Sequence, residues 1–467
     1  MLPSAHLHPL RGLAFALLVA LSSAGPAHAA QVAGGAIAGI VCDPGGAPLP
    51  GASLLLLASE TGLGQLAASN QEGRFLFAAL GPGRYDLSIT LDGFRQSHHP
   101  DLRVVTGQTL ALDVALELGP VVEAVVVTAV PSSISGQAGG LGQVVGEQQV
   151  QRLPLNGRTF ISLAALAPGV ALPPGSLLPR INGGRPRTNE YLFDGISVLQ
   201  PEPGQVAFFP VIDAIQEFAI ASNSPPAEFG RFNGGVVNLT TRAGTNVLSG
   251  RVFEFLRHDA LNARPPFATP DAARTFRRHQ FGGVTGGPVV RGRTFFFADY
   301  QSQRQTIART LISTVPTALQ RQGIFIEPIG GRVPAIFDPA TTAAEDGAAR
   351  RRPFADGIVQ ASRIDPVARA LLSRYPLPTR DGTANNYART DDEIVNQDQV
   401  GVRFDHRIAD RGDRAFVRLS GFRETFLPVA SLPDGSGATS GTLGPQHTRA
   451  SSATTAWPWP VSNTLLS

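Results

Sequence analysis

The sequence has no lysine, a single cysteine, and no long apolar run beyond its first thirty residues. The 39 residues counted together as lysine and arginine are therefore all arginines. The absence of lysine excludes P-loop NTPases, protein kinases and pyridoxal enzymes, each of which needs a lysine at its site. The lone Cys42 excludes an intrachain disulfide framework and zinc sites built from several cysteines.

Catalytic and nucleic-acid-binding signatures are also missing. The formal net charge of +3 is too small to indicate a nucleic-acid surface, so we expect no nucleic-acid partner. None of the nine histidines begins an H-x-x-E or H-E-x-x-H motif, and G-x-S-x-G is absent. We therefore expect a protein without enzymatic activity, cofactor or bound metal.

The first residues have the order of a secretory signal. Arg11 is followed by an apolar run over 13–21 and then by the small-residue triplet Ala27-His28-Ala29. We predict a signal peptide over residues 1–29, cleaved between Ala29 and Ala30. The apolar run is too short for a membrane-spanning helix. A membrane location of the mature chain would therefore require a β-barrel.

Short strand patterns punctuated by turn residues follow, over residues 31–118. Phe75 and Phe77 fall on one face of a predicted strand, and Tyr85, Leu87 and Ile89 alternate with polar residues. Turns such as Asp43-Pro44-Gly45-Gly46 separate these runs. The pattern predicts a β-sandwich of about seven strands.

Three motifs in this region carry a family resemblance: GIVCDPGGAPLPGA (39–52), NQEGRFLFAALGPGRYDLSI (70–89) and DGF (92–94). They resemble the carboxypeptidase regulatory-like domain, an accessory domain without catalytic residues. The resemblance implies a prealbumin-like β-sandwich of the carbohydrate-binding-like fold over residues 30–120. We predict that His98-His99 lies on an exposed loop before Pro100 and binds no metal.

An apolar, β-branched stretch over 121–129 comes next, before a Ser/Gly-rich segment. From the residues alone, two interpretations stand equally. The stretch is either one more core strand of the sandwich or an extended peptide that adds to the sheet edge of a partner protein.

Motifs further along favour the second interpretation. LPLNGRTF (153–160), INGGRPRTNEYLFDGI (181–196) and PVIDAIQEFAIASNSPPAEFGRFNGGVVNLTTRAGTN (210–246) resemble the plug of TonB-dependent outer-membrane receptors of the Oar-like branch. The resemblance implies an α/β plug over 137–245 and a TonB box within the linker 121–136. That box consists of Val125, Val126, Val127, Thr128 and Ala129. The resemblance also implies that the C-terminal domain of TonB, with its proton-driven inner-membrane complex, is a partner.

Two further groups of residues have competing interpretations. Arg185, Arg187 and Arg231 of the plug either contact ligand or, as we prefer, pair with carboxylates of the barrel wall. The glycine-rich run over 282–287 lacks the strand–turn–helix context of a phosphate loop. We interpret it as small residues on a closely packed barrel strand.

From residue 250 the sequence alternates as a lipid-facing β-strand does. Val400, Val402 and Phe404 fall on one face, and Arg403, Asp405 and Arg407 on the other. After a short turn, Ala415, Val417 and Leu419 alternate with Arg418 and Ser420. We predict barrel strands over 246–467, with a long extracellular loop from about Thr306 to Asp391.

The predicted fold class is mainly β: a sandwich, an α/β plug and the first strands of a transmembrane barrel. About five to seven strands can be placed, whereas a plugged transporter barrel has about 22. We therefore expect the barrel to be incomplete, with the chain as an N-terminal portion of a receptor.

The resulting functional hypothesis is an exported TonB-dependent receptor in the outer membrane of a Gram-negative cell. It would contact membrane lipid and transport a ligand that the sequence does not identify, with carbohydrate and peptide both open. The alternative is a secreted or periplasmic sandwich that binds carbohydrate or protein and carries a non-functional barrel remnant. The alternating strands around 399–422 discriminate against the alternative, because a soluble module has no reason to expose them.

Overall fold

The fold is known from a computed structural model. It describes residues 34–119, 124–126, 141–153, 155, 157–173, 176–200, 204–206, 209–223, 232–263, 275–345, 348–408, 414–434 and 446–456. The predicted signal peptide, with Ala29 and Ala30, lies outside the described residues, so its cleavage site stays a prediction.

The first unit is a sandwich of two β-sheets. Its strands are β1 (Gly35–Cys42), β2 (Ser53–Ala58), β3 (Gly64–Ala68), β4 (Arg74–Leu80), β5 (Gly83–Thr90), β6 (Gln96–Val104), β7 (Thr109–Ala111), β8 (Val114–Ala115) and β9 (Ala124–Val126). One sheet has the order β4-β1-β7, with β8 also on β1, and the other has the order β3-β2-β5-β6-β9. The predicted sandwich is present, with two very short strands beyond the seven expected.

Alternating side chains build the sandwich core. Phe75 and Phe77 of β4 are both buried and pack edge to face, with ring centroids 6.2 Å apart. Leu87 and Ile89 of β5, which belongs to the facing sheet, are fully buried. The period-2 pattern therefore predicted which face of each strand points inward.

The prediction that His98 and His99 lie on an exposed loop was wrong. Both lie within strand β6, and the side chain of His99 is buried. His99 Nε2 is hydrogen-bonded to Ser97 Oγ at 2.9 Å, and burial lowers the pKa of His99, with His98 adding to the effect. Pro100 does not interrupt the strand, because it lies where the register between β5 and β6 shifts and beyond residues 96–98, which pair with β9.

The second unit, the plug, packs short helices against a mixed sheet. Its helices are α1 (Glu147–Arg152) and α2 (Ile161–Ala164), with a 3₁₀ turn at Ile212–Ala214. Its strands are β10 (Leu141–Gly146), β11 (Val170–Ala171), β12 (Arg180–Ile181), β13 (Glu190–Phe193), β14 (Ile196–Ser197), β15 (Leu199–Gln200), β16 (Gln205–Val206), β17 (Ile215–Asn223) and β18 (Val236–Thr241). The main sheet has the order β10-β17-β18-β13-β14, in which β13 and β18 are parallel.

Phe160 lies at the centre of the plug core. It is fully buried, and its ring centroid lies 5.6–5.9 Å from those of Phe193, Phe209 and Phe218. These four rings join the segment before α2 to strands β13 and β17 and to the loop before the 3₁₀ turn. The plug core therefore depends on aromatic residues that are distant in sequence.

The third unit is a six-stranded antiparallel sheet with the order β19-β20-β21-β24-β25-β26. Its strands are β19 (Ser249–His258), β20 (Phe276–Val290), β21 (Thr294–Ser313), β24 (Tyr387–Arg407), β25 (Arg414–Leu427) and β26 (Gln446–Ala456). The mainly β fold class and the order of the three units are confirmed. The expectation of an incomplete barrel stays a prediction.

The two faces of this sheet differ as the alternation predicts. Val400 and Phe404 are exposed by 52% and 43%, and Leu419 on the neighbouring strand is exposed on the same face. The side chains of Arg403 and Arg418, on the opposite face, are 11% and 6% exposed. Apolar side chains on the open face and covered polar side chains on the other are typical of a membrane barrel wall.

The glycine run lies on β20, where the predicted close packing is present. A Cβ at Gly282 would lie 2.1 Å from the Tyr300 carbonyl oxygen of β21. A Cβ at Gly287 would lie 2.9 Å from a methyl carbon of Leu248. Side chains at these positions would force the neighbouring strand or the preceding segment away.

The long loop is shorter than predicted. Strand β21 runs to Ser313 and β24 begins at Tyr387, because the two strands continue as a ribbon beyond the length we expected. The connection contains α3 (Ala318–Arg321), α4 (Pro366–Leu372) and the hairpin β22 (Ala343–Glu345) and β23 (Ala348–Arg350), besides 3₁₀ turns at Pro339–Thr341, Ala355–Gly357 and Ala361–Arg363. Within this connection, Arg363 donates hydrogen bonds to the Asp338 carboxylate, and they lower the pKa of Asp338 to about 2. The connection therefore has internal order.

Candidate functional site

A tight turn of the plug points a carboxylate at the sheet. Asp194 and Gly195 connect β13 to β14, and both have positive φ, 51° and 83°. Two such residues form a type I′ turn, for which Asp-Gly is a favoured pair. The turn places the Asp194 carboxylate on the side of the plug that faces strand β24.

Asp194 forms a buried ion pair between plug and sheet. Its carboxylate accepts hydrogen bonds from the Thr241 backbone N–H (2.9 Å), Thr241 Oγ1 (2.7 Å) and Arg403 Nη1 (3.1 Å). Arg403 also donates two hydrogen bonds, each of 2.9 Å, to Asp405 on its own strand. Its guanidinium carbon lies 4.2 Å from the centroid of the Phe416 ring. One arginine of β24 is thus held by two carboxylates and an aromatic face.

A second plug carboxylate binds two arginines. Asp213, in the 3₁₀ turn before β17, forms ion pairs with Arg158 (2.5 Å) and with Arg251 of β19 (3.4 Å). The Arg158 guanidinium also lies over the ring of Phe255, 3.9 Å from its centroid. This cluster joins the plug segment before α2 to the first strand of the sheet.

A third buried pair lies within the sheet. Arg418 Nη2 of β25 lies 3.4 Å from Asp299 Oδ1 of β21, two strands away. Gly401 on the intervening strand makes room for the pair, because a Cβ there would lie 2.4 Å from Asp299 Oδ1. The glycine therefore permits a polar contact across β24.

The ion pairs that we predicted for the plug arginines are not seen among the described residues. We expected plug arginines to pair with barrel carboxylates, but Arg185 and Arg187 are exposed and form no ion pair with the described residues. Arg231 lies outside those residues. In both contacts described above, the plug supplies the carboxylate and the barrel strand the arginine, because the plug turns at Asp194 and Asp213 project toward the sheet.

The sandwich is docked on the plug. The Thr106 backbone N–H donates to Glu217 Oε2 (2.7 Å), and the Thr106 and Thr240 hydroxyls are 3.1 Å apart. Gln216 Nε2 donates to the Pro82 carbonyl (2.9 Å). Asn246, just beyond the plug, donates through its backbone N–H and its side-chain amide to the carbonyls of residues 60 and 61.

A cavity of about 630 Å³ lies where the three units meet. The sandwich contributes residues 58–62 and 81–85, the plug contributes Gln216 and Thr240, and the sheet contributes Arg403 and Phe416. Carboxylates and guanidinium groups both line it, among them Glu60 and Arg242. The cavity therefore opens beside the Asp194–Arg403 contact.

The docked Glu217 predicts a pH dependence. Burial raises the pKa of Glu217, and this effect exceeds the opposing effects of the Thr106 hydrogen bonds and of Arg103. Docking therefore gains from protonation below the ordinary value of 4.5, and this gain is lost as the pH rises through the raised pKa. In wild type, hydrogen-exchange protection of residues 103–108 should fall as the pH rises above the ordinary value of 4.5 and through the raised pKa of Glu217. In Glu217→Gln, which keeps an acceptor but does not titrate, protection should stay constant. An equal fall in both proteins would show that another group is responsible.

The candidate TonB box is only partly described. Ala124, Val125 and Val126 form strand β9, which pairs in parallel with β6 at the margin of the sandwich sheet. Val127, Thr128 and Ala129 lie outside the described residues. The described part of this stretch is therefore a strand at the end of the sandwich sheet. Its role as a TonB box stays a prediction.

Two further properties concern the described residues. They contain no cluster of three or more histidine, cysteine or acidic side chains positioned to hold a metal ion. None of the helices in this part of the chain has the length and apolar character that a membrane-spanning helix requires.

Two domain families match the chain. The family described as the outer membrane beta barrel domain matches residues 240–467, and the carboxypeptidase regulatory-like domain matches residues 36–117. Over 270 residues, the chain is also 27% identical to the TonB-dependent transporter Oar of Myxococcus xanthus. The chain is homologous to a TonB-dependent transporter. The alignment with Oar covers 54% of the chain and 25% of Oar, so the chain spans about a quarter of that relative's length.

Solved outer-membrane proteins resemble parts of the structure. The outer membrane transporter YddB of Escherichia coli is 12% identical, with a TM-score of 0.34, over 68% of this chain and 44% of that one. A ferric enterobactin receptor mutant of Pseudomonas aeruginosa is 11% identical, with a TM-score of 0.38, over 68% of this chain and 39% of that one.

Homology to Oar and the domain matches confirm the predicted resemblance. Sequence reasoning nevertheless missed Asp194, Asp213 and Glu217, each of which contacts a neighbouring unit. A signal was present for Asp194, because the Asp-Gly pair of the motif FDGI predicts a tight turn. No local pattern indicated that this turn meets a strand 209 residues away.

Proposed function

We propose that the protein acts as a TonB-dependent receptor that carries a ligand across the outer membrane of a Gram-negative cell. One observation supports this most strongly. A plug packs on the polar face of an antiparallel sheet whose other face presents apolar side chains. That arrangement suits a barrel wall with lipid outside and a plug within.

The same observation counts against the alternative of a secreted binding module. Val400, Phe404 and Leu419 belong to a row of exposed apolar residues on the face away from the plug. Large exposed apolar patches on soluble proteins favour aggregation, whereas lipid tails cover them in a membrane. The proposal also requires that the edges of β19 and β26 be paired, because the hydrocarbon leaves no water for unpaired backbone groups.

The proposed activity is transport, with no covalent chemistry on the ligand. Energy would come from a proton-driven inner-membrane complex that acts through the C-terminal domain of TonB. TonB would pair with the strand-forming segment Val125, Val126, Val127, Thr128 and Ala129. We further propose the boundaries 1–29, 30–120, 121–136, 137–245 and 246–467 for signal peptide, sandwich, linker, plug and barrel.

A peptide experiment tests the coupling. A peptide of residues 124–131 should bind the purified C-terminal domain of TonB through main-chain hydrogen bonds. Val127→Pro removes one backbone donor and restricts the preceding residue, so its affinity should fall by at least about tenfold. Val127→Thr keeps the donor and the β-branched shape and should bind like wild type. Isothermal titration would measure all three.

The possible failures have different meanings. If no peptide binds, this segment is not the TonB box. If the proline peptide binds as well as the threonine peptide, side chains rather than strand pairing make the contact.

A further inference from the structure

Strand β9 gives the sandwich sheet an added parallel strand. Its residues pair with β6 in the register Gln96 with Ala124, Ser97 with Val125, and His98 with Val126. Val125 and Val126 are the first two residues of the proposed TonB box, and Ala124 directly precedes it. The strand conformation is therefore formed on the sandwich before any partner is added.

The chain is brought to this edge by contacts just before β9. The Arg95 backbone N–H donates to the Glu117 carbonyl (2.8 Å), and the Gly119 N–H donates to the Gly93 carbonyl (3.2 Å). The side chains of Arg95 and Glu117 also form an ion pair at 3.2 Å. These contacts lead the chain out of the sandwich next to the start of β6.

Within the described residues, β9 has one strand neighbour. The sheet order β3-β2-β5-β6-β9 places it last, so β6 pairs with one of its edges and no described strand pairs with the other, outer edge. An outward strand edge is a template on which another sheet can add a strand.

The sandwich that carries β9 is itself joined to the plug. Thr106, Pro82 and residues 60–61 hold it to Glu217, Gln216 and Asn246 through the hydrogen bonds described above. A strand added to β9 is thus added to a unit in contact with the plug sheet.

We propose that the sandwich is a presentation platform, on which β9 stays paired with β6 while a TonB strand pairs with its outer edge. This inference rests on the proposed function and adds to it a binding surface shared by two sheets. Ordering a free peptide into a strand costs conformational entropy at each residue. A segment already ordered on the sandwich avoids part of that cost, so it binds more tightly than a free one.

A disulfide lock tests the platform in the full chain, purified in detergent micelles. Gln96→Cys with Ala124→Cys joins two directly paired residues, which lie on the same face of neighbouring parallel strands. Cys42→Ser removes the native thiol in every variant. Ser97→Cys with Ala124→Cys is the matched control, because residue 97 points to the opposite face and should not form the disulfide.

The expected result has two parts. Under oxidation, the paired variant should form the disulfide and the control should not. The oxidised lock should then bind the purified C-terminal domain of TonB at least as tightly as its own reduced form, and up to about tenfold more tightly. The control variant should bind equally with and without oxidant.

Other outcomes overturn the inference in different ways. If no selective disulfide forms, β9 does not rest on β6. If oxidation weakens TonB binding tenfold or more, the strand must leave the sandwich to be recognised. If neither form binds although the 124–131 peptide does, the outer edge is blocked. If the peptide also fails to bind, the proposed function itself is wrong.

Discussion

Replacing Arg403 by methionine is expected to weaken the attachment of the plug to the sheet by about 3–5 kcal/mol. The substitution keeps an apolar stem but leaves the carboxylates of Asp194 and Asp405 without their cation. The Asp194 side chain is only 4% exposed, so water cannot replace the lost guanidinium. Pulse proteolysis in urea would measure the loss as a lower denaturant concentration for plug release.

A matched substitution separates this effect from loss of charge in general. Arg304→Met removes an arginine that pairs with Asp398 between β21 and β24, where the side chains are 42% and 39% exposed. Exposed pairs contribute about 0–1 kcal/mol, so this variant should change little. Adding Asp194→Asn to Arg403→Met should recover part of the loss, because one buried charge is then removed with its partner. Equal losses in the two methionine variants would mean that burial of Asp194 is unimportant.

Phe160→Ala is expected to destabilise the plug by about 3–5 kcal/mol. The phenylalanine is fully buried and contacts three other rings, so its removal leaves a cavity that the surrounding backbone cannot close. Native-state hydrogen exchange on β17 and β18 would report the loss as a smaller opening free energy. Protection in the sandwich strands should change far less.

Leu166→Ala is the control for this experiment. Leu166 follows α2 and is 48% exposed, so its truncation removes little buried area. The expected change is within about 0.5 kcal/mol. If both variants lost the same protection, the four-ring cluster would not be the centre of the plug core.

Local alternation was sufficient to predict much of the fold. The sequence of β24 placed Val400 and Phe404 on one face and Arg403 on the other, and the structure has them there. The same reasoning identified the buried face of β4 and β5. These predictions succeeded because a strand has a fixed period of two, whatever it packs against.

Contacts between units could not be predicted in this way. Arg403 and Asp194 are 209 residues apart, and the pairing depends on how the plug is oriented inside the sheet. The contacts of Asp194 and Asp213 were missed for the same reason, since charge alone does not show which plug turn faces the sheet. His99 was misplaced because a proline next to it suggested a loop, whereas the sandwich continued the strand.

The ribbon formed by β21 and β24 is longer than a strand needs to be to cross a membrane. The strands have 20 and 21 residues, which at about 3.3 Å per residue extend for some 65–70 Å. A tilted strand crosses the hydrocarbon with about 9–11 residues. In the proposed barrel wall, roughly half of the ribbon would therefore extend beyond the hydrocarbon, with residues 314–386 joining the ends of its two strands. A reporter attached to residues 314–386 of the proposed receptor would then lie outside the hydrocarbon and be accessible on one side of the membrane.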